Sequence, residues 1–197
     1  MGVMNRLTIM QRLKQETRPY HVALERQVDL TQLCSALDAY QQLLQRFYGF
    51  YLPVEQKLDQ LPWHTLGFDY PARRKRALLE QDLATLSNAA PSWHHLPCCT
   101  ALPLLDTLPA ALGCLYVLEG ATLGGQIITR QVERTLGISP AQGSRFFHSY
   151  GDQVGPMWKE FGHFVTSYAT TPAIENAMIA SAGQTFQALQ GWLTQSN

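Results

Sequence analysis

Apolar residues recur three and four positions apart along nearly the whole chain, and no stretch alternates in the two-residue rhythm of a half-buried strand. That pattern restricts the chain to helices packed on helices, an all-α fold. The 197 residues are 46% apolar and only 15% charged, below the roughly 25% charge of an average soluble domain. A chain of this length buries a core without disulfides. Residues 1–197 therefore read as a single domain with a core from about residue 7 to 193.

A first helix is predicted over residues 5–28, with Leu7, Met10, Leu13 and Thr17 on one face and His21 and Leu24 continuing it. Pro19 lacks a backbone N–H, which predicts a kink or break near Gln15 to Arg18. Thr31 is the expected N-cap of a long second helix through Leu43, Leu44, Phe47, Phe50 and Tyr51, bent at Pro53 and ending before Pro62. A third runs from Ala72 to Leu86, and Ser87 to Leu105 reads as a connection with one short helical turn. The fourth begins near Thr107, has Pro109 in its first turn and stops at Gly137. A further helix follows Pro156. Thr171-Pro172 is an N-cap and N1 pair for a last helix reaching Leu193, where Phe186, Leu189 and Trp192 form a core stripe.

With 15 Lys+Arg against 15 Asp+Glu, the chain lacks the surplus of cations that general nucleic-acid binding needs. The one basic run, Arg73-Arg74-Lys75-Arg76, reads as a solvated helix face. Cys34, Cys98, Cys99 and Cys114 form no CxxC pair and no zinc pattern, and suit the reduced thiols of a cytoplasmic protein. The segment Met1-Gly2-Val3-Met4-Asn5-Arg6 carries no myristoylation signal, and no apolar leader follows it. The longest apolar run, Ala110 to Leu118, is too short to cross a bilayer, so no membrane partner is expected. His64, His94, His95 and His148 fall in loops or polar stretches and are expected at the surface.

Two features stand apart from this plain description. Gly120 and Gly124 share one face of the fourth helix, and with Gly125 they strip it of side chains for about a turn. Each costs about 1 kcal/mol relative to alanine in mid-helix, so either a neighbouring helix or a flat ligand must approach there. The segment has neither GxGxxG spacing nor the Lys-Ser/Thr of a phosphate loop, and it follows a helix where those motifs follow a strand. The second feature is His21, with Lys14 about two helical turns before it and Glu25 one turn after it. A lone histidine in such a place serves either as an ordinary core or surface residue or as a ligand. As a ligand its other ring N–H needs a partner, and Glu25 is the candidate.

The block Leu112-Gly113-Cys114-Leu115-Tyr116-Val117-Leu118-Glu119-Gly120-Ala121-Thr122-Leu123-Gly124-Gly125-Gln126 resembles the distal-helix signature of bacterial heme oxygenases, and is most similar to members that accompany bacteriophytochromes. Leu13-Lys14-Gln15-Glu16-Thr17-Arg18-Pro19-Tyr20-His21 resembles their proximal-histidine segment. The resemblance implies a heme held between two helices, with His21 ligating the iron and the glycine-kinked helix (Gly120, Gly124, Gly125) over the other face. Lys14 and Tyr116 would meet the propionates, with Lys159 and His163 as further candidates at that edge. The implied reaction uses heme as cofactor and substrate. With O₂ and electrons from an external reductase or ferredoxin it yields biliverdin, carbon monoxide and Fe²⁺, the biliverdin serving a bacteriophytochrome. Catalytic contributions would come from Gly120, Gly124 and Thr122. Many members carry an aspartate just after the first glycine; here Ala121 stands there, so a proton relay would run through water, backbone carbonyls and Thr122. A heme carrier that leaves the ring intact, a non-heme enzyme on the same scaffold and an all-α interaction module remain open on the residues alone.

Overall fold

Thr8 opens the first helix with a reciprocal cap: its hydroxyl accepts the Gln11 N–H, and its own N–H donates to the Gln11 side chain at 2.8 Å. In the computed structural model, which describes residues 7–87 and 93–195, the helices are α1 (Ile9–Gln27), α2 (Leu30–Leu33), α3 (Leu37–Leu58), α4 (Arg76–Leu86), α5 (Leu108–Leu136), α6 (Arg145–His148), α7 (Val154–Tyr168) and α8 (Pro172–Thr194). Short 3₁₀ turns link them, and no strand occurs among the described residues. The fold is all-α.

Both interior prolines are absorbed without ending a helix. At Pro19, α1 continues unbroken, and Gln15, whose carbonyl loses its partner, is exposed to solvent. At Pro53 the freed carbonyl belongs to Gly49, and it accepts the Cys99 N–H at 2.9 Å. The 97–99 segment docks so closely there that a Cβ on residue 49 would lie 2.4 Å from the Pro97 carbonyl oxygen.

The expected cap at Thr31 is corrected. Asp29 caps a separate four-residue α2, its carboxylate accepting the Gln32 N–H at 3.0 Å, and α3 starts afresh at Leu37. The third helix is corrected too. Pro71–Arg73 forms a 3₁₀ turn, the chain extends at Arg74, and α4 begins only at Arg76.

α4 and α6 lack caps of their own and borrow them. Glu55 on α3 accepts the Lys75 and Arg76 N–H groups at 2.6 and 3.2 Å, and Asp82 on α4 accepts those of Arg145 and Phe146 at 2.9 and 2.8 Å. Burial pushes the Asp82 carboxyl up to about 6, against the pull of those two backbone donors. Asp82→Ala removes both acceptors and leaves buried N–H groups unpaired, a loss of about 1–3 kcal/mol. A urea midpoint equal to that of the parent protein would refute the cap.

Among the described residues, the buried apolar side chains other than Val28 and Val154 form one cluster. α5 packs along α8, and α1 lies on α8 as well. The approach of α5 to α8 is closest at Gly113, where a Cβ would stand 2.1 Å from the Met178 carbonyl oxygen. α5 as a whole is long and apolar enough to cross a membrane, but 61% of that window is buried inside the protein. It is the central core helix, and α1 and α5 face each other across a cavity.

Candidate functional site

The cavity has a volume of about 900 Å³ and is walled mainly by apolar side chains and by the Gly120–Gly125 stretch of α5. That volume lies within the roughly 300–1,000 Å³ of cofactor pockets. His21, Lys14, Glu25, Tyr116, Gly120, Thr122, Gly124 and Gly125 all line it, so the residues singled out in the sequence from two distant segments meet at one place. Lys159 and His163 are exposed on α7 and do not line the cavity.

His21 projects from α1 with its side chain 54% exposed. Its Nδ1 lies 3.3 Å from Glu25 Oε2, the i,i+4 pairing that helix geometry favours, and Phe186 meets the ring edge-on at 5.6 Å. That approach makes Glu25 the partner of Nδ1 and leaves Nε2 as the nitrogen available to a ligand. Cations and anions divide along α1. Lys14 and Arg18 line the cavity N-terminal to His21, while Glu25 and Asp29 line it C-terminal to it. Arg18 was not singled out from sequence, although it lies on the face of Lys14 one turn on.

The glycines of α5 answer to different causes. A Cβ at Gly124 would meet nothing within 4 Å, and one at Gly120 would touch only the Trp158 ring at 3.7 Å. At Gly125 the same atom would lie 2.5 Å from the Phe147 carbonyl oxygen. Close chain approach therefore explains Gly125, whereas Gly124 faces open space. Gly124→Ala should raise the stability of the ligand-free protein by up to about 1 kcal/mol, and Gly125→Ala should lower it by about 1–3 kcal/mol. Melting temperatures that move the same way for both would contradict this division. α5 itself stays helical from Leu108 to Leu136.

Thr122 is buried and donates its hydroxyl proton to the Glu119 carbonyl at 2.6 Å, which leaves its oxygen free only to accept. Ala121 adds no polar group. Tyr116 packs against Trp158 at 5.6 Å, and burial pushes its phenol up from the ordinary range.

Beside the glycines lies a charge cluster that overturns the expectation for the basic run. Arg74 and Arg76 do face solvent, paired with Asp59 at 2.6 Å and Glu80 at 3.5 Å. Arg73 and Lys75 turn inward and are buried. Arg73 Nη1 reaches Glu119 Oε2 at 2.6 Å; Lys75 Nζ reaches Glu119 Oε1 at 3.2 Å and also bonds the Arg73 carbonyl and the Tyr150 hydroxyl. Tyr150 in turn donates to Glu119 at 2.8 Å. The run is not one continuous helix: it leaves a 3₁₀ turn at Arg73, extends at Arg74 and enters α4 at Arg76, and Arg73 and Lys75 both meet the carboxylate of α5. Burial lowers the Lys75 ammonium while Glu119 opposes that shift, and burial with the Glu119 charge raises the Tyr150 phenol, which stays a neutral donor. The signal in the sequence was Glu119 itself, a carboxylate within an apolar helical run that required a buried cation.

Of the remaining histidines, His64 and His95 are exposed as expected, and the side chain of His94 lies outside the described residues. His148 is half-buried against Gly151. Cys34, Cys98, Cys99 and Cys114 are all free thiols. Among the described residues no three His, Cys, Asp or Glu side chains gather into a metal site.

The fold is all-α among the described residues, and one cavity is lined both by the imidazole of His21 and by the glycine-rich stretch of α5. The sequence profile of the heme oxygenase family matches residues 7–195. The chain belongs to the heme oxygenase family. A heme oxygenase from Xanthomonas campestris pv. campestris is 27% identical over 151 residues, covering 76% of this chain and 85% of that protein. The heme oxygenase of Neisseria meningitidis, solved with NO and CO bound, has the same fold. Its TM-score is 0.78 at 21% identity, with 97% of this chain and 94% of that one covered. Heme oxygenase-1 of the cyanobacterium Synechocystis, solved in complex with heme, gives a TM-score of 0.73 at 14% identity over 94% and 90% of the two chains.

Proposed function

We propose that this protein binds heme between α1 and α5 and opens its ring with O₂ and electrons, releasing biliverdin, carbon monoxide and Fe²⁺. The observation that carries the reading is that His21, with Glu25 3.3 Å from its Nδ1, and the glycine stretch of α5 line one mainly apolar cavity. The donor set fits the group. A lone imidazole holds a metal firmly only when the metal brings its other ligands with it, as a porphyrin does.

When bound, heme supplies both the iron at which O₂ is activated and the ring that is opened. The chain supplies the surroundings. Glu25, one turn on, would orient the imidazole as the partner of its other ring nitrogen. Lys14 and Arg18, which line the cavity N-terminal to His21, would meet the propionates together with Tyr116, and the carboxylates of Glu25 and Asp29 would repel them from the other end. Gly120 and Gly124 let the helix backbone approach the ring, and Gly125 keeps the wall tight against Phe147. Thr122 Oγ1 accepts from water in the cavity, which carries the protons that the side chain of Ala121 cannot. An external reductase or ferredoxin supplies electrons. The likeness of the Leu112–Gln126 block to phytochrome-associated members makes a bacteriophytochrome the recipient of the biliverdin, in the cytoplasm.

Adding hemin to the purified protein should produce a Soret band. Ascorbate or a reductase system in air should then replace that band with the spectrum of biliverdin. A Soret band that persists would assign the protein to heme carriage instead, and no Soret band would sink both.

A further inference from the structure

The bare stretch of α5 is fastened at both ends by one loop. At its start Glu119 accepts the Tyr150 hydroxyl at 2.8 Å. At its far end the Phe147 carbonyl occupies the space a side chain at residue 125 would need, and Gln126 Nε2 donates to the His148 carbonyl at 2.8 Å. Between these fastenings a Cβ on residue 124 would meet nothing within 4 Å, and one on residue 120 would meet only the Trp158 ring. Glycines give the stretch conformational freedom, and it has little side-chain packing of its own to fix its position.

The loop, by contrast, is held in one shape. Its N-terminal end is tied to α4 through Asp82. Ser149 sits at φ 52° and ψ −115°, the one non-glycine residue with positive φ among those described, and its buried hydroxyl has no hydrogen-bond partner among them. A residue keeps such a conformation only where its surroundings over-determine it. The Ser149 N–H is bonded to the Arg145 carbonyl at 2.7 Å, and Tyr150, the next residue, is drawn in by Lys75 and Glu119.

We propose that the Phe147–Tyr150 loop sets the distance of the Gly120–Gly125 wall from His21, with Tyr150 and Gln126 as positioning residues. The loop acts through α5 and not by a polar contact with the ligand. That this wall is the distal side of a heme rests on the function proposed above; the fastening of the wall does not.

Amide hydrogen exchange on the ligand-free protein tests the fastening. Tyr150→Phe and Gln126→Met should each raise exchange at residues 120–128 about tenfold, the loss of one hydrogen bond, with α8 unchanged. Gln126→Met lies outside the buried ion cluster and keeps the test open if Tyr150→Phe does not fold. Unchanged exchange in the stretch would overturn the proposal, as would a rise of the same size in α8, which would mark general destabilisation. In the heme-loaded protein, the C–O stretching band of the ferrous carbon monoxide complex should shift or broaden in both variants, and an unaltered band would overturn the positioning role. Failure of the parent protein to take up heme would defeat the proposed function, and the exchange experiment would still decide the fastening.

Discussion

Replacing His21 with alanine should abolish the axial nitrogen ligation of added heme and all turnover to biliverdin, while leaving the fold intact. The side chain is half exposed, lies 3.3 Å from Glu25 and meets Phe186 edge-on. A surface change of that kind usually moves stability by no more than about 0.5 kcal/mol, so the melting temperature serves as the control. The truncated side chain leaves room for free imidazole, which should restore the ferric spectrum of the parent. A variant that kept the parent spectrum without imidazole would remove His21 from the site.

The largest effect on stability is expected at Glu119. Glu119→Gln keeps the shape and removes the charge, leaving Arg73 and Lys75 buried beside each other. Breaking a buried ion cluster in this way costs about 3–5 kcal/mol, whereas replacing every charged partner by apolar groups of similar volume is often neutral or stabilising. Urea unfolding should therefore show a large loss for Glu119→Gln and recovery of most of it when Arg73→Met, Lys75→Met and Glu119→Leu are combined. A loss below about 1 kcal/mol for the single change would mean that the cluster does not hold the fold.

What could be read from sequence and what could not divide along the range of the interactions involved. The all-α class and the ends of α5 and α8 follow from signals within a few residues: Thr107 and Thr171 cap their helices, and Gly137 closes α5 in the left-handed conformation. That His21 and the glycines line one cavity is legible through resemblance, because two motifs about a hundred residues apart are read together. Thr31 misled because Asp29, two residues earlier, offers the shorter carboxylate cap to a helix that then stops. Arg73 and Lys75 misled for a different reason. A run of four cations reads as surface unless its partner is known, and Glu119 lies more than forty residues further along the chain. The division among the three glycines was hidden as well, since spacing shows that side chains are missing but not what approaches in their place.

The borrowed caps make the helices on this side of the molecule depend on one another. α6 is too short to hold together alone; its first N–H groups wait for Asp82 of α4, and the start of α4 waits for Glu55 of α3. α4 and α6 therefore keep their first turns only while the helix that supplies each cap is in place, so loosening α3 or α4 is expected to loosen α6 and the wall it braces.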